Sequence, residues 1–197
     1  MLVLVRHGET EANAAGLLLG RSESPLTDRG RAQAAALGRL VVPPARVITS
    51  PLGRARDTAM ALGFDLPLEV DDRWVEVDYG EYDGQAFGSV PAEVWQRWRA
   101  DPAFVPPGGE SLEAMGRRVR AACDELFAED GAGARGIDVV VVSHVSPIKA
   151  AVAWALGADD GLAWRLYLST ASVTVIAWGA GAPVLQRYNV TVEPPTA

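Results

Sequence analysis

Two short valine-rich runs limit what this chain can fold into. Met1-Leu2-Val3-Leu4-Val5 leads straight into Arg6-His7-Gly8-Glu9-Thr10, and Val139-Val140-Val141-Val142 leads into Ser143-His144. Runs this apolar, bounded by polar residues, fit strands buried on both faces, the condition of a parallel sheet between helices. Each run is closed by a histidine, and the chain has only these two. In an open α/β sheet the ligand crevice lies at the carboxyl ends of the strands. Both histidines are therefore expected in one crevice, one of them beside an arginine. That pairing suits an anion, above all a phosphate.

At 197 residues, 49% of them apolar, the chain is long enough for one domain with a sizeable core. Its net charge of −7 and lack of basic tracts argue against nucleic-acid and anionic-membrane partners. The single cysteine, Cys123, rules out an intrachain disulfide and a cysteine-based metal site. No signal peptide is expected, because Met1 opens the first core strand. No apolar run approaches the ~20 residues of a membrane span. A cytoplasmic protein is expected. Trp154, Trp164 and Trp178 suit either a homodimer face or the core.

Strand and helix alternate along the chain. Strands are expected over 2–5, 47–48 and 138–142, with short extended pieces near 68–70 and 75–77. Helices are expected over 28–41 (capped by Thr27), 51–62, 91–99, 111–129 and 147–156. A late pair, 172–178 and 183–190, has Gly179, Gly181 and Pro183 between its arms and reads as an antiparallel hairpin. The expected fold class is α/β: a single-domain three-layer sandwich, with a mostly parallel sheet, helices on both faces and the late hairpin. The tail over 193–197 is expected to be frayed.

Two strand-to-helix turns carry Ser-Pro, at Ser50-Pro51 and Ser146-Pro147. Serine at the N-cap and proline at the first helical position make a good helix start, and a helix N-terminus suits a phosphate. Arg54 falls in the first turn of its helix, where the dipole disfavours a cation by roughly 0.3–1 kcal/mol. A bound anion would account for it; so would an ordinary surface arginine. A histidine at a strand end can likewise be purely structural, but two of them beside helix starts, with Arg6 adjacent, favour a site. A metal centre needs three or four ligands; no third histidine exists, which leaves only a site completed by carboxylates as a weaker alternative.

These residues resemble the histidine phosphatase superfamily, in its phosphoglycerate-mutase-like branch. Leu4-Val5-Arg6-His7-Gly8-Glu9-Thr10-Glu11-Ala12-Asn13 is similar to the family's opening motif. Later blocks follow in family order. They are Gly20 with Ser24-Pro25-Leu26-Thr27, Gly30 and Gln33-Ala34; then Ser50-Pro51-Leu52 with Arg54-Ala55 and Thr58-Ala59. Next come Glu76 with Tyr79-Gly80 and Gly84, Pro107-Gly108-Gly109-Glu110-Ser111, and Val142-Ser143-His144.

The resemblance implies phosphomonoester hydrolysis through a phosphohistidine formed on His7, with no metal or organic cofactor. Arg6, Arg54 and His144 would hold the phosphoryl oxygens, and Glu76 would be the proton donor. Asn13, the backbone near Gly20 and the Val145 N–H would touch the substrate at the pocket edge. Asp78, two residues beyond Glu76, shares its face in an extended segment and is the second candidate for the acid. The alternatives are a cofactor-dependent phosphoglycerate mutase and a phosphate-binding regulatory protein without turnover.

This chain departs from the family after the second histidine. Where the family often shows glycines and then an arginine, it has Val145-Ser146-Pro147-Ile148-Lys149, and Lys149 is its only lysine. A surface role is expected for Lys149. Specificity is expected from a lid over about 80–110, which holds Phe87, Trp95 and Trp98 and carries a net charge of −3. Aromatics suit an apolar or ring-bearing substrate part or, equally, pin the lid to the body, and the charge disfavours bisphosphates. A small phosphomonoester of modest charge is expected, such as a sugar phosphate, a nucleoside monophosphate or an α-ribazole-type phosphate.

Overall fold

The computed structural model describes residues 1–128, 137–179 and 181–192. In chain order the main elements begin with β1 (Leu2–Arg6), α1 (Glu11–Ala14), α2 (Asp28–Leu37), β2 (Arg46–Thr49), α3 (Gly53–Ala61) and β3 (Leu68–Val70). They continue with α4 (Ala92–Ala100), α5 (Leu112–Phe127), β4 (Val139–Ser143), α6 (Val145–Ala155), β5 (Ser172–Gly179) and β6 (Ala182–Thr191). The sheet order is β3-β2-β4-β1-β5-β6. Pairing is parallel from β3 through β1, and β5 and β6 add antiparallel strands at the other side. The two valine-rich runs are the two middle strands.

Helices cover both faces. Leu2, Leu4, Val139 and Val141 point into a core shared with α5 and α6, where Val119, Leu126 and Ile148 meet Trp74 and Trp98. Val3, Val5, Val140 and Val142 point the other way, onto Leu37 of α2 and onto Ala55 and Ala59 of α3. The period of two along each strand thus feeds two cores at once, which is why these runs have no polar alternation.

Element boundaries shift at the helix starts. α2 keeps its cap, with Gly30 N–H donating to Thr27 Oγ1 at 3.0 Å, but ends at Leu37 rather than 41. α3 begins at Gly53, so Ser50-Pro51 precedes it as a bend; Ser50 Oγ accepts from Leu52 N–H at 3.3 Å. α6 begins at Val145 with His144 as its N-cap, which moves Ser146 and Pro147 inside the first turn. The piece near 75–77 is extended but joins no ladder. The helix expected over 111–129 runs from Leu112 to Phe127; position 129 and the tail over 193–197 lie outside the described residues.

Two glycines let α2 press against the loop that follows β1. A Cβ on Gly8 would sit 2.3 Å from Gly30 O, and one on Gly30 would sit 2.0 Å from Glu9 O. The obstacle in both cases is backbone, which cannot swing aside as a side chain can. Gly30→Ala is therefore expected to destabilise the protein by about 1–3 kcal/mol through forced overpacking. The measurement is the urea midpoint, and a midpoint equal to wild type would refute this close-approach account.

Candidate active site

The parallel register puts the ends of three strands side by side. Arg6 is opposite Ser143, and Thr49 is opposite Val142. The backbone pairing runs one step beyond the strands: His7 N–H donates to Ser143 O at 3.1 Å, and Ser50 N–H donates to Val142 O at 3.0 Å. His7, His144 and Ser50 therefore leave the sheet at one place. The two imidazoles lie edge to face, 5.1 Å between ring centroids, and both are buried.

Hydrogen bonds fix both tautomers. His7 Nδ1 lies 2.7 Å from Gly8 O. A carbonyl only accepts, so Nδ1 carries the proton and Nε2 keeps its lone pair. His144 Nδ1 lies 3.2 Å from Arg54 Nε, which only donates, so the His144 proton sits on Nε2 and points at Ser50 Oγ, 2.7 Å away. Burial lowers both histidines well below the usual imidazole range, and the nearby Arg54 and Arg6 charges push in the same direction. Both rings are neutral at pH 7.

Arg54 is 1% exposed, far from the surface position open to an isolated arginine. Besides its bond to His144 it donates to Ser22 O at 2.9 Å and Gly20 O at 2.5 Å. A guanidinium has five N–H groups, so two are left over. Carboxylates tie down the loop that feeds it: Asp83 accepts from Gly20 N–H at 2.7 Å and Ser22 N–H at 2.8 Å, and Glu23 accepts from Gly53 N–H at 3.1 Å. The N-terminus of α3 is thus occupied by Glu23. Arg6 donates to Leu168 O at 2.6 Å, while its buried Nε has no partner. Burial lowers Arg6 to about 10, which leaves it charged at pH 7.

Glu76 is buried, and its Oε1 accepts from Val77 N–H at 2.8 Å and from Ser146 N–H at 3.2 Å. The N-terminus of α6 thus holds a carboxylate of the protein itself. Burial raises the Glu76 carboxyl above the usual range, although those N–H donors and the two arginines oppose the shift. Asp78 is placed differently: it accepts from Gly80 N–H at 2.9 Å and faces Arg21 at 3.5 Å, away from the cavity. Asp78 does not share the cavity with Glu76: its carboxylate is taken up by Gly80 N–H and Arg21.

A cavity of about 380 Å³ opens in front of His7. Arg6, His7, Asn13, Glu76 and Val145 line it; Arg54, His144 and Gly20 are not in its wall, and Arg54 is hydrogen-bonded to both of the others next to His7. Asn13 Oδ1 accepts from Thr10 N–H at 3.2 Å, which leaves its NH2 end for a ligand. Phe87, Trp95 and Trp98 of the 80–110 segment are in the wall, Trp98 also being part of the core, but none of that segment's acids is. Of its five acids, Asp83 holds the Gly20 loop and Glu110 pairs with Arg118 at 2.9 Å, while Glu81, Glu93 and Asp101 are exposed.

Sequence reading missed one wall. Ala163, Trp164, Tyr167 and Leu168, just before β5, line the cavity, and Trp164 is pinned there by its Nε1–H bond to Trp98 O at 3.1 Å. Only the aromatic content of 164–167 signalled them. Lys149 corrects an expectation: it is half-buried and lines the same cavity. Among the described residues, no three His, Cys, Asp or Glu side chains converge as metal ligands do, and no helix is long and apolar enough to cross a membrane.

The family model of the histidine phosphatase superfamily (branch 1) matches residues 2–191. A bifunctional protein of Mycobacterium tuberculosis is 39% identical over 96% of this chain, which spans only 54% of that relative. Phosphoserine phosphatase 1 of Hydrogenobacter thermophilus is 32% identical over 96% of this chain and 92% of its own. The solved structure of a mycobacterial glucosyl-3-phosphoglycerate phosphatase superposes with a TM-score of 0.86 at 30% identity, covering 96% of this chain and 98% of that one.

The depressed histidines make stability depend on pH. Unfolded imidazoles titrate near ~6.5. Below that pH the unfolded chain takes up protons that the native rings refuse, so stability falls as pH drops, by up to about 1.4 kcal/mol per histidine per pH unit. Glu76, whose native value is raised, works in the opposite sense above the ordinary carboxyl range. Two groups outweigh one, so the urea midpoint is expected to be lower at pH 5.5 than at 7.5, with a larger drop in Glu76→Gln. Equal midpoints in both proteins would contradict two buried neutral histidines.

Proposed function

The chain belongs to the histidine phosphatase superfamily, and on that footing we propose that it hydrolyses phosphomonoesters of small metabolites with His7 as the nucleophile. The observation that carries the reading is the bond from His7 Nδ1–H to Gly8 O, which presents the Nε2 lone pair in a site flanked by buried arginines. The phosphatases among its relatives support it. Those named for phosphoserine and for glucosyl-3-phosphoglycerate act on esters whose alcohol part also bears a carboxylate.

In the first half-reaction Nε2 attacks phosphorus, the N–P bond forms, and the bond from phosphorus to the ester oxygen breaks. The departing oxygen takes a proton from Glu76, whose raised value keeps the acid form available. Charge on the phosphoryl oxygens is met by the unpartnered Arg6 Nε–H and by the two spare N–H groups of Arg54. His144 reaches the same oxygens by turning its Nε2–H away from Ser50. Asn13 and the Val145 N–H border the same space, and Gly20 contributes by placing Arg54. In the second half-reaction Glu76 takes a proton from water, the water oxygen attacks phosphorus, and the N–P bond breaks. Phosphate and neutral His7 are regenerated.

Phosphate release from p-nitrophenyl phosphate in the presence of EDTA tests this. Wild type is expected to turn over and His7→Ala to be inactive. Glu76→Gln is expected to lose about 10²–10⁴-fold on alkyl phosphates, and less on p-nitrophenyl phosphate, whose leaving oxygen needs no proton. Turnover surviving in His7→Ala would overturn the assignment.

A further inference from the structure

Lys149 is the one lysine in a chain with seventeen arginines, and it lines the cavity. It follows Val145 by four residues on α6, so the two share a helix face, and Val145 lines the cavity as well. Its Nζ donates to Ala163 O at 3.0 Å, on the wall that also brings Trp164 and Tyr167. No carboxylate lies within salt-bridge distance of it among the described residues, whereas Arg21, Arg73, Arg118 and Arg120 are all paired. An ammonium has three donors, so two remain. Burial lowers its pKa, and the charges that act on it are Glu76 and Arg6, the groups at the reacting end of the cavity.

Beyond Arg6, His7, Glu76 and Lys149 the wall carries no charged side chain; most of it is apolar, with Leu17, Phe87, Trp95, Trp164 and Leu168, and Tyr79, Tyr167, Asn13 and Ser146 are neutral. A substrate seated with its phosphoryl group at Arg6 and His7 therefore meets one charged point on its alcohol side. A half-desolvated, unpaired ammonium calls for a compact anion, since an uncompensated charge in such a wall is costly. A second phosphoryl group would require the several donors that only the His7 end offers. A single carboxylate is matched by two N–H donors and one positive charge.

We propose that Lys149 is a specificity-determining residue, its ammonium taking a carboxylate carried by the departing alcohol, so that the preferred substrates are phosphorylated hydroxy acids. This rests on the phosphomonoesterase reading and names the substrate class for the same site.

The test is a matched pair, 3-phosphoglycerate and glycerol 3-phosphate, which differ by the carboxylate, with p-nitrophenyl phosphate alongside. Wild type is expected to favour the acid by at least tenfold in kcat/KM. Lys149→Met keeps the length of the side chain and removes the charge. It is expected to lower kcat/KM for the acid at least tenfold more than for the alcohol, chiefly through KM, while Lys149→Arg restores part of the preference. Equal losses on both substrates would mean that Lys149 serves the phosphoryl group or the fold. That result overturns the proposal, as does a wild type with no preference for the acid. If p-nitrophenyl phosphate is hydrolysed, such a result leaves the phosphatase reading standing; if wild type turns over none of the three, both readings fall.

Discussion

Everything at the site depends on the parallel pairing of β1 with β4. Their register sets Arg6 against Ser143, and one further bond, from His7 N–H to Ser143 O, brings the histidine-bearing turns together. A slip of one residue would send every side chain of the strand to the opposite face and separate the two imidazoles. The register is well defended, because each strand feeds two cores with alternate residues, and a slip would exchange the residues that pack on α5 and α6 for those that pack on α2 and α3.

Once the strands are fixed, dryness does much of the chemical work. Burial keeps both histidines neutral and raises Glu76. Arg54 survives in the same environment because carbonyl oxygens and an imidazole nitrogen accept from three of its N–H groups. The cost of holding buried charge is spread over a scaffold of loop carbonyls, and those loops are themselves tied to carboxylates such as Asp83 and Glu23. One acid that counts as lid charge in the sequence, Asp83, is a fastener of the cationic site.

Both helix N-termini that invite a phosphate on sequence grounds hold carboxylates instead, Glu23 at α3 and Glu76 at α6. An anion does sit at each end, but the protein itself supplies it. A local pattern states that a helix end wants negative charge; which group supplies it depends on chain segments 30 and 70 residues away. The same limit explains Asp78. Spacing put it on the face of Glu76, but its carboxylate is taken by Gly80 N–H and by Arg21, a partner 57 residues away in the chain.

By itself the sequence determined the α/β class, the central strands, the late hairpin and the meeting of His7 with His144. All of these follow from apolar periodicity and from where it stops, which are local properties. Only the tertiary structure decided which groups face the cavity and which stand behind it. It put Lys149 and the Trp164–Leu168 segment into the wall, joined Arg54 to His144, and kept the acids of 80–110 out of the wall. Those outcomes depend on long-range packing and on competition among buried polar groups for partners, and no short window of residues contains that competition.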